Sequence, residues 1–223
     1  MKYLFGKIKN GFTLIELLVV IALIAILASI LVPAVTNALD QGKMTTVMNN
    51  GKNIYLSIYA RNLENPLDQS PAWPTREITS PANQENIKNG EFNNSTEYFK
   101  WVIDAQIMNV DYSFFAAPEM PAENSTNSTL FGSDNNAWAV TVGVGQPSFK
   151  DGGPALFTKN IKQTGGIPLG SVNDPPALDP DELPFGDKGG VVVLQGGSAL
   201  ILKQDTLTNR FNRVDAANDV LYP

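Results

Sequence analysis

Carboxylates are the main candidates for reactive side chains in this sequence, because histidine and cysteine are both missing. The chain has 223 residues with 22 Asp and Glu, and it has neither His nor Cys. The composition therefore excludes a Ser-His-Asp triad, a His general base, disulfides, a thiolate nucleophile and metals held by His or Cys. Carboxylate-only mechanisms, such as a glycosidase with two acids facing one cleft, stay open, as do Ser/Lys mechanisms.

One carboxylate, Glu16, stands inside a long apolar segment. It is the only charged residue from Phe12 to Leu39. Residues 12–35 would form a helix of roughly 36 Å, which is enough to cross a hydrocarbon core of about 30 Å. A charge inside such a segment is costly and usually has a function. We therefore interpret Glu16, which lies one helical turn beyond Phe12, as a functional residue rather than a tolerated one.

The flanks of this segment indicate a membrane anchor with a cytoplasmic N-terminus. Residues 1–11 contain three lysines and no acidic residue, and basic residues favour the cytoplasmic side. The apolar run is too long for a cleavable signal peptide, although residues 36–38 resemble a cleavage site. The net charge of −6 argues against nucleic-acid binding through a basic face.

The segment Gly11-Phe12-Thr13-Leu14-Ile15-Glu16 and the apolar run after it resemble the signal of type IV pilins and type II secretion pseudopilins. The resemblance covers residues 1–40. It implies that a prepilin peptidase cuts between Gly11 and Phe12 and methylates the new amine of Phe12. It also implies that, in a fibre, the Glu16 carboxylate meets the Phe12 ammonium of a neighbouring subunit and fixes the register, since an unpaired buried charge is strongly unfavourable.

Pro33 also fits the family, which often has a proline in this part of the helix. It removes a backbone donor and clashes with the carbonyl of Ser29, so we expect a kink. Two interpretations stay open. The kink is a simple bend near the membrane surface, or it is a weak point that lets the helix extend during assembly.

The sequence predicts an α+β fold in which a long N-terminal helix, membrane-spanning in its first half, packs on an antiparallel sheet in a pilin-like head. Apolar residues recur at helical spacing between Val35 and Ile58, and the helix is expected to end near Asn62. Gly42 and Gly51 should weaken it. The predicted divisions are a basic leader (1–11), a transmembrane half-helix (12–35), an amphipathic half-helix (36–63) and a periplasmic head (64–223).

Within the head, three patterns predict secondary structure. Asn94 and Glu97 read as a capping box that opens a short helix over residues 95–107. Residues 138–142 alternate as a strand does, and residues 155–158 are a weaker strand candidate. Residues 189–203 predict a β-hairpin with a Gly-Gly turn, which we expect to supply central strands of the sheet.

No cofactor is expected, with one weak exception. Some pseudopilins hold calcium in a loop near the C-terminus, and this chain has an acidic, proline-rich stretch there. Its candidate ligands are Asp174, Asp179, Asp181 and Asp187. Calcium needs six to eight oxygen ligands, and the regular calcium-loop spacing is absent, so a solvated acidic loop is the competing interpretation.

We interpret the chain as a structural subunit rather than an enzyme. A type II secretion pseudopilin is favoured over a major or minor type IV pilus subunit serving adhesion, motility or DNA uptake. The expected partners are the prepilin peptidase, other pilin or pseudopilin subunits, the membrane and an inner-membrane platform protein. The expected location is the bacterial inner membrane with a periplasmic head, then a periplasmic or surface fibre.

Two alternatives stay open. One is a membrane-anchored carboxylate-only enzyme, for which composition supplies acids but the spacing gives no support. The other is a minor subunit whose head binds a ligand such as a carbohydrate at the fibre tip. The candidates for such a site are Trp73 and Trp138, which we expect to be structural instead.

Overall fold

A computed structural model of the chain describes residues 12–64, 72–74, 92–144, 149, 152–162, 176–211 and 220–223. The chain forms two compact units, Met1–Gln41 and Gly42–Pro223. A single helix, α1 (Leu14–Glu64), runs from the first unit into the second. This confirms the predicted long N-terminal helix, which ends two residues later than expected.

In the first unit, α1 is apolar on all sides. Every described side chain from Phe12 to Leu39 is exposed, including large ones such as Ile30 (72%) and Leu27 (68%). Within the described part of the chain, this is the one helix whose length and composition would allow it to cross a membrane. A helix that is hydrophobic all round requires an apolar environment, either lipid or other helices.

Among its described residues, the second unit contains seven short strands. They are β1 (Trp138–Thr141), β2 (Pro154–Thr158), β3 (Ile161–Lys162), β4 (Ala177–Leu178), β5 (Gly190–Leu194), β6 (Ala199–Leu202) and β7 (Val220–Leu221). Five of them form an antiparallel sheet in the order β6-β5-β2-β1-β7, and β3 pairs with β4 in a separate ribbon. The predicted α+β class is therefore confirmed.

The predicted hairpin is present but lies at one side of the sheet. Strands β5 and β6 pair from Gly190↔Leu202 to Val193↔Ala199, and Gly196 and Gly197 occupy the turn with φ of 98° and 81°. The expectation that both strands are central was wrong. Strand β6 is an edge and β2 is the middle strand, because β2 pairs with both β1 and β5.

Both faces of the sheet are covered. On one face, the part of α1 in this unit contributes Met44, Val47, Ile54 and Ile58 to a core that also contains side chains of β1 and β5. On the other face, the helix α3 (Gln204–Phe211) contributes Leu207 and Phe211. Strands buried on both faces carry unbroken apolar runs, which explains the uninterrupted valines of β5 and the full burial of β2.

The short helix α2 (Ser95–Asp104) begins where its capping residue predicted. The Asn94 side chain accepts a hydrogen bond from the Glu97 amide at 2.9 Å. The Glu97 carboxylate accepts from the Asn93 amide at 2.8 Å, so it reaches one residue further back than in a standard capping box. The helix ends three residues earlier than expected, because Gln106 adopts a left-handed backbone with φ of 56°.

Candidate processing and assembly site

A reciprocal cap holds Glu16 at the start of α1. The Glu16 Oε2 atom accepts hydrogen bonds from the Thr13 amide and from the Thr13 hydroxyl, each at 2.8 Å. In return, the Glu16 amide donates to Thr13 Oγ1 at 3.3 Å. Two donors that a helix leaves unpaired at its N-terminus are thereby satisfied, and a negative charge lies at the positive end of the helix dipole.

The other motif residues are open to their surroundings. The Phe12 side chain is 75% exposed and precedes the first helical residue, Leu14. Gly11 and the basic leader lie outside the described residues. The structure therefore places Phe12 and Glu16 at the same end of one helix, while cleavage and methylation stay predictions.

The capping role of Thr13 was not predicted from the sequence. Thr13-Leu14-Ile15-Glu16 has the S/T-x-x-E spacing of a capping box directly before an apolar run, and this local pattern could have been recognised. Its consequence is that Glu16 has a partner within its own chain. Because both hydrogen bonds from Thr13 end on Oε2, the Oε1 atom could still accept from a neighbouring subunit.

Pro33 lies inside α1, and the residues before and after it are both helical. Nearby hydroxyls bond to the helix backbone: Ser29 Oγ donates to the Ile26 carbonyl at 2.7 Å, and Thr36 Oγ1 donates to the Pro33 carbonyl at 3.0 Å. Such back-bonding is typical of bent apolar helices. The predicted kink and the role of Pro33 in assembly stay predictions.

The acidic stretch proposed as a calcium loop is engaged with lysines. Lys162 contacts Asp179 at 3.1 Å and Glu182 at 2.6 Å, while Lys159 lies 3.5 Å from Glu182. Asp181 and Asp187 are exposed, and Asp174 lies outside the described residues. Among the residues that the structure describes, no three acidic groups approach closely enough to hold a metal ion.

This ion-pair cluster should make the stability of the head depend on pH. The Lys162 ammonium and the Asp181 amide lower the pKa of Asp179 below its ordinary value. The ionised Asp179 therefore adds its full contribution to the free energy of unfolding above the unfolded-state pKa of about 3.9. This contribution is lost as pH falls through the lower, folded-state pKa. Since the pair is partly exposed, we expect an effect of about 1 kcal/mol or less.

Urea unfolding of wild type and of Asp179→Asn between about pH 5 and pH 2 measures this effect. The variant should be less stable at the upper end, and the difference should vanish at the lower end. A stability difference that does not change with pH would contradict the role of the Asp179 charge.

Neither tryptophan considered for a tip ligand site is available at the surface. Trp73 is 3% exposed, and its Nε1 donates to the Thr141 carbonyl at 2.9 Å. Trp138 is fully buried between α1 and the sheet. The expectation that both are structural is confirmed, so a ligand site on the head would need other residues.

Comparison with known proteins connects the N-terminal geometry to a known motif. Residues 6–32 match the family model described as the prokaryotic N-terminal methylation motif. No curated protein and no solved structure shows significant similarity to the chain. The matched range includes the capped carboxylate of Glu16 and the exposed apolar helix after it. The chain therefore carries the N-terminal cleavage and methylation motif of type IV pilins and pseudopilins.

Proposed function

We propose that this protein is a structural subunit of a type II secretion pseudopilus. Its precursor is cut by a prepilin peptidase between Gly11 and Phe12 on the cytoplasmic face, and the Phe12 amine is methylated. The observation that carries the proposal is the methylation motif placed on the capped N-terminal part of α1, whose apolar side chains are exposed through Leu39. Such a helix needs lipid before assembly and neighbouring helices afterwards, which is what a subunit that leaves the membrane for a fibre requires.

Before assembly, the subunit is held in the inner membrane by residues 12–35 with its head in the periplasm. An inner-membrane platform protein, driven by a cytoplasmic ATPase, adds it to a fibre of pilin-like subunits. The fibre acts as a piston or plug in the export of folded proteins. The role is structural rather than catalytic.

Two features support a pseudopilin rather than a type IV pilus subunit. The chain has no cysteine, so its head lacks the disulfide that closes the C-terminal loop of many pilins. The C-terminal segment is instead held by main-chain pairing, because β7 pairs with β1 through Val140↔Leu221 and Thr141↔Val220. A head without a stabilising disulfide suits a short periplasmic fibre better than a surface fibre that bears mechanical load.

Mass spectrometry of the intact chain and of its N-terminal peptide, extracted from native membranes, tests the processing step. We expect a mature chain that begins at Phe12 and carries one additional methyl group on its amine. The control is Gly11→Leu, in which a bulky side chain replaces the glycine before the cleaved bond. This variant should keep its leader, and a normally trimmed Gly11→Leu product would contradict the peptidase mechanism.

A deletion strain separates the two kinds of fibre. Without this chain, a pseudopilin role predicts that secreted proteins accumulate in the periplasm while surface pili are unchanged. Loss of surface pili with normal secretion would instead assign the chain to a type IV pilus.

A further inference from the structure

We propose that the head binds a neutral saccharide in a cleft between α1 and the turn of the β5–β6 hairpin. The cleft has a volume of about 440 Å³ and is lined by Tyr55, Leu56, Tyr59, Gly152, Gln195 and Gly196. The proposal concerns only the second unit and does not depend on assembly of the chain into a fibre.

The aromatic wall of the cleft is preorganised. Tyr55 and Tyr59 stack one helical turn apart, with ring centroids 6.0 Å apart and planes only 9° from parallel. The Tyr55 hydroxyl accepts a hydrogen bond from the Gly196 amide at 2.9 Å, which fixes the inner ring against the hairpin turn. Tyr59 is 47% exposed. A rigid, half-exposed ring of this kind offers an apolar surface on which the C–H face of a sugar can stack.

The opposite wall is open because it is made of glycine. Gly196 has φ of 98°, and a Cβ atom built on it would meet nothing within 4 Å. Gly152 also has a positive φ, 72°. Both backbone positions favour glycine, and at Gly196 the missing side chain leaves open space.

One lining residue has an unused hydrogen-bond acceptor. The Gln195 Oε1 atom is buried and accepts no hydrogen bond from the described residues, although the Gln195 amide donates to the Gly153 carbonyl at 2.8 Å. A buried acceptor without a partner costs free energy. If the Gln195 side chain turns to present this oxygen to the cleft, a ligand hydroxyl that donates to it would remove that cost, so the cleft favours a ligand that carries hydroxyl groups.

The charges of the lining residues indicate which class of hydroxylated ligand the cleft would bind. None of the lining residues named above is charged. A larger cleft on the head, about 520 Å³, contrasts with it, because its lining includes Lys159, Lys162 and Glu182. Glu182 forms an ion pair with each of the two lysines. The described part of the lining, with an aromatic face, one free acceptor and no charged residue, therefore fits a neutral sugar ring better than a nucleotide or an acidic ligand.

Ligand-observed saturation-transfer NMR tests the site on the full chain in a zwitterionic detergent, since detergents with sugar head groups would compete. The probes are maltotriose, cellotriose and chitotriose. We expect transfer to the ring C–H protons of at least one of them, with a dissociation constant of the order of 1 mM, typical of a shallow site. No transfer to any of the three would overturn the proposal.

Variants locate the binding. Tyr59→Ala should weaken it about tenfold, the effect of losing about 1.4 kcal/mol of contact, while Tyr59→Phe should restore it. Gln195→Leu, which keeps the size of the side chain but removes the acceptor, should also weaken it. Leu63→Ala is the matched control, because Leu63 is an exposed residue of the same helix (63%) outside the cleft lining. Binding that is unchanged in both Tyr59→Ala and Gln195→Leu would place the sugar elsewhere and overturn the proposal.

Discussion

A Gly51→Ala chain should unfold at a clearly lower urea concentration than wild type, although alanine is the better helix former. A Cβ atom at position 51 would lie 2.3 Å from Trp138 Cη2 and 2.9 Å from Val193 Cγ2. Trp138 is fully buried, so its indole has no room to move. Overpacking of this kind costs about 1–3 kcal/mol, and the helix gains only about 1 kcal/mol from alanine. Because the approach to Trp138 is so close, the cost should lie in the upper part of this range, and we expect a net loss of about 1–2 kcal/mol.

The matched control is Gly42→Ala in the same helix. A Cβ atom at position 42 meets nothing within 4 Å, so this variant should gain about 0.5–1 kcal/mol. Urea unfolding of the full chain in detergent, followed by tryptophan fluorescence, measures both. If the two variants shift the midpoint in the same direction, the close packing of α1 against Trp138 is contradicted.

These two glycines show what local sequence patterns can and cannot predict. The helical spacing of Met44, Val47, Ile54 and Ile58 was enough to predict α1 and its buried face. From the sequence, both glycines were expected to weaken the helix equally, because the helix-propensity cost of glycine is the same at either position. Only the position of Trp138, which is 87 residues away along the chain, gives Gly51 a packing role that Gly42 lacks.

The order of the strands was likewise beyond local inference. The Gly-Gly turn predicted the β5–β6 hairpin because hairpin pairing depends on neighbouring residues. The position of the hairpin at one side depends on β2, which pairs with β1 and also with β5, although β3 and β4 lie between β2 and β5 in the sequence. Strand β7 has only two residues, too few to show an alternating pattern, so its pairing with β1 could not be predicted.

The N-terminal site was more predictable than the head, because its information lies within a few residues. Glu16 was identified as the lone charge of an apolar segment, and Phe12 from the resemblance of the motif to the pilin signal. The Thr13 cap also follows a local rule. The ion pairs of Lys162 depended on tertiary structure, since Asp179 and Glu182 are brought to it by the β3–β4 ribbon. Because the sequence does not show these cationic partners, the acidic stretch was interpreted as a candidate calcium loop.

A Glu16→Val chain should be processed normally but fail to enter fibres. Under the proposed function, the peptidase would act on the Gly11–Phe12 bond, which this change leaves intact, whereas assembly would need the carboxylate to pair with the Phe12 ammonium of a neighbour. Inside a bundle of apolar helices, that ammonium would be left without a partner, which is strongly unfavourable. The measurement compares the fraction of mature chain in sheared fibres with the fraction in membranes, and mass spectrometry verifies cleavage at Phe12.

Two further variants separate the charge of Glu16 from its capping role. Glu16→Gln can still accept hydrogen bonds from Thr13 but has no charge, so it should fail like Glu16→Val. Thr13→Val removes the hydroxyl hydrogen bond to Oε2 but keeps the bond from the backbone amide. It also keeps the charge of Glu16 available for a neighbour. It should therefore assemble. If Glu16→Gln forms fibres at wild-type levels while Thr13→Val does not, the cap rather than the charge governs assembly, because a carboxylate whose charge fixes the register cannot be replaced by a neutral amide.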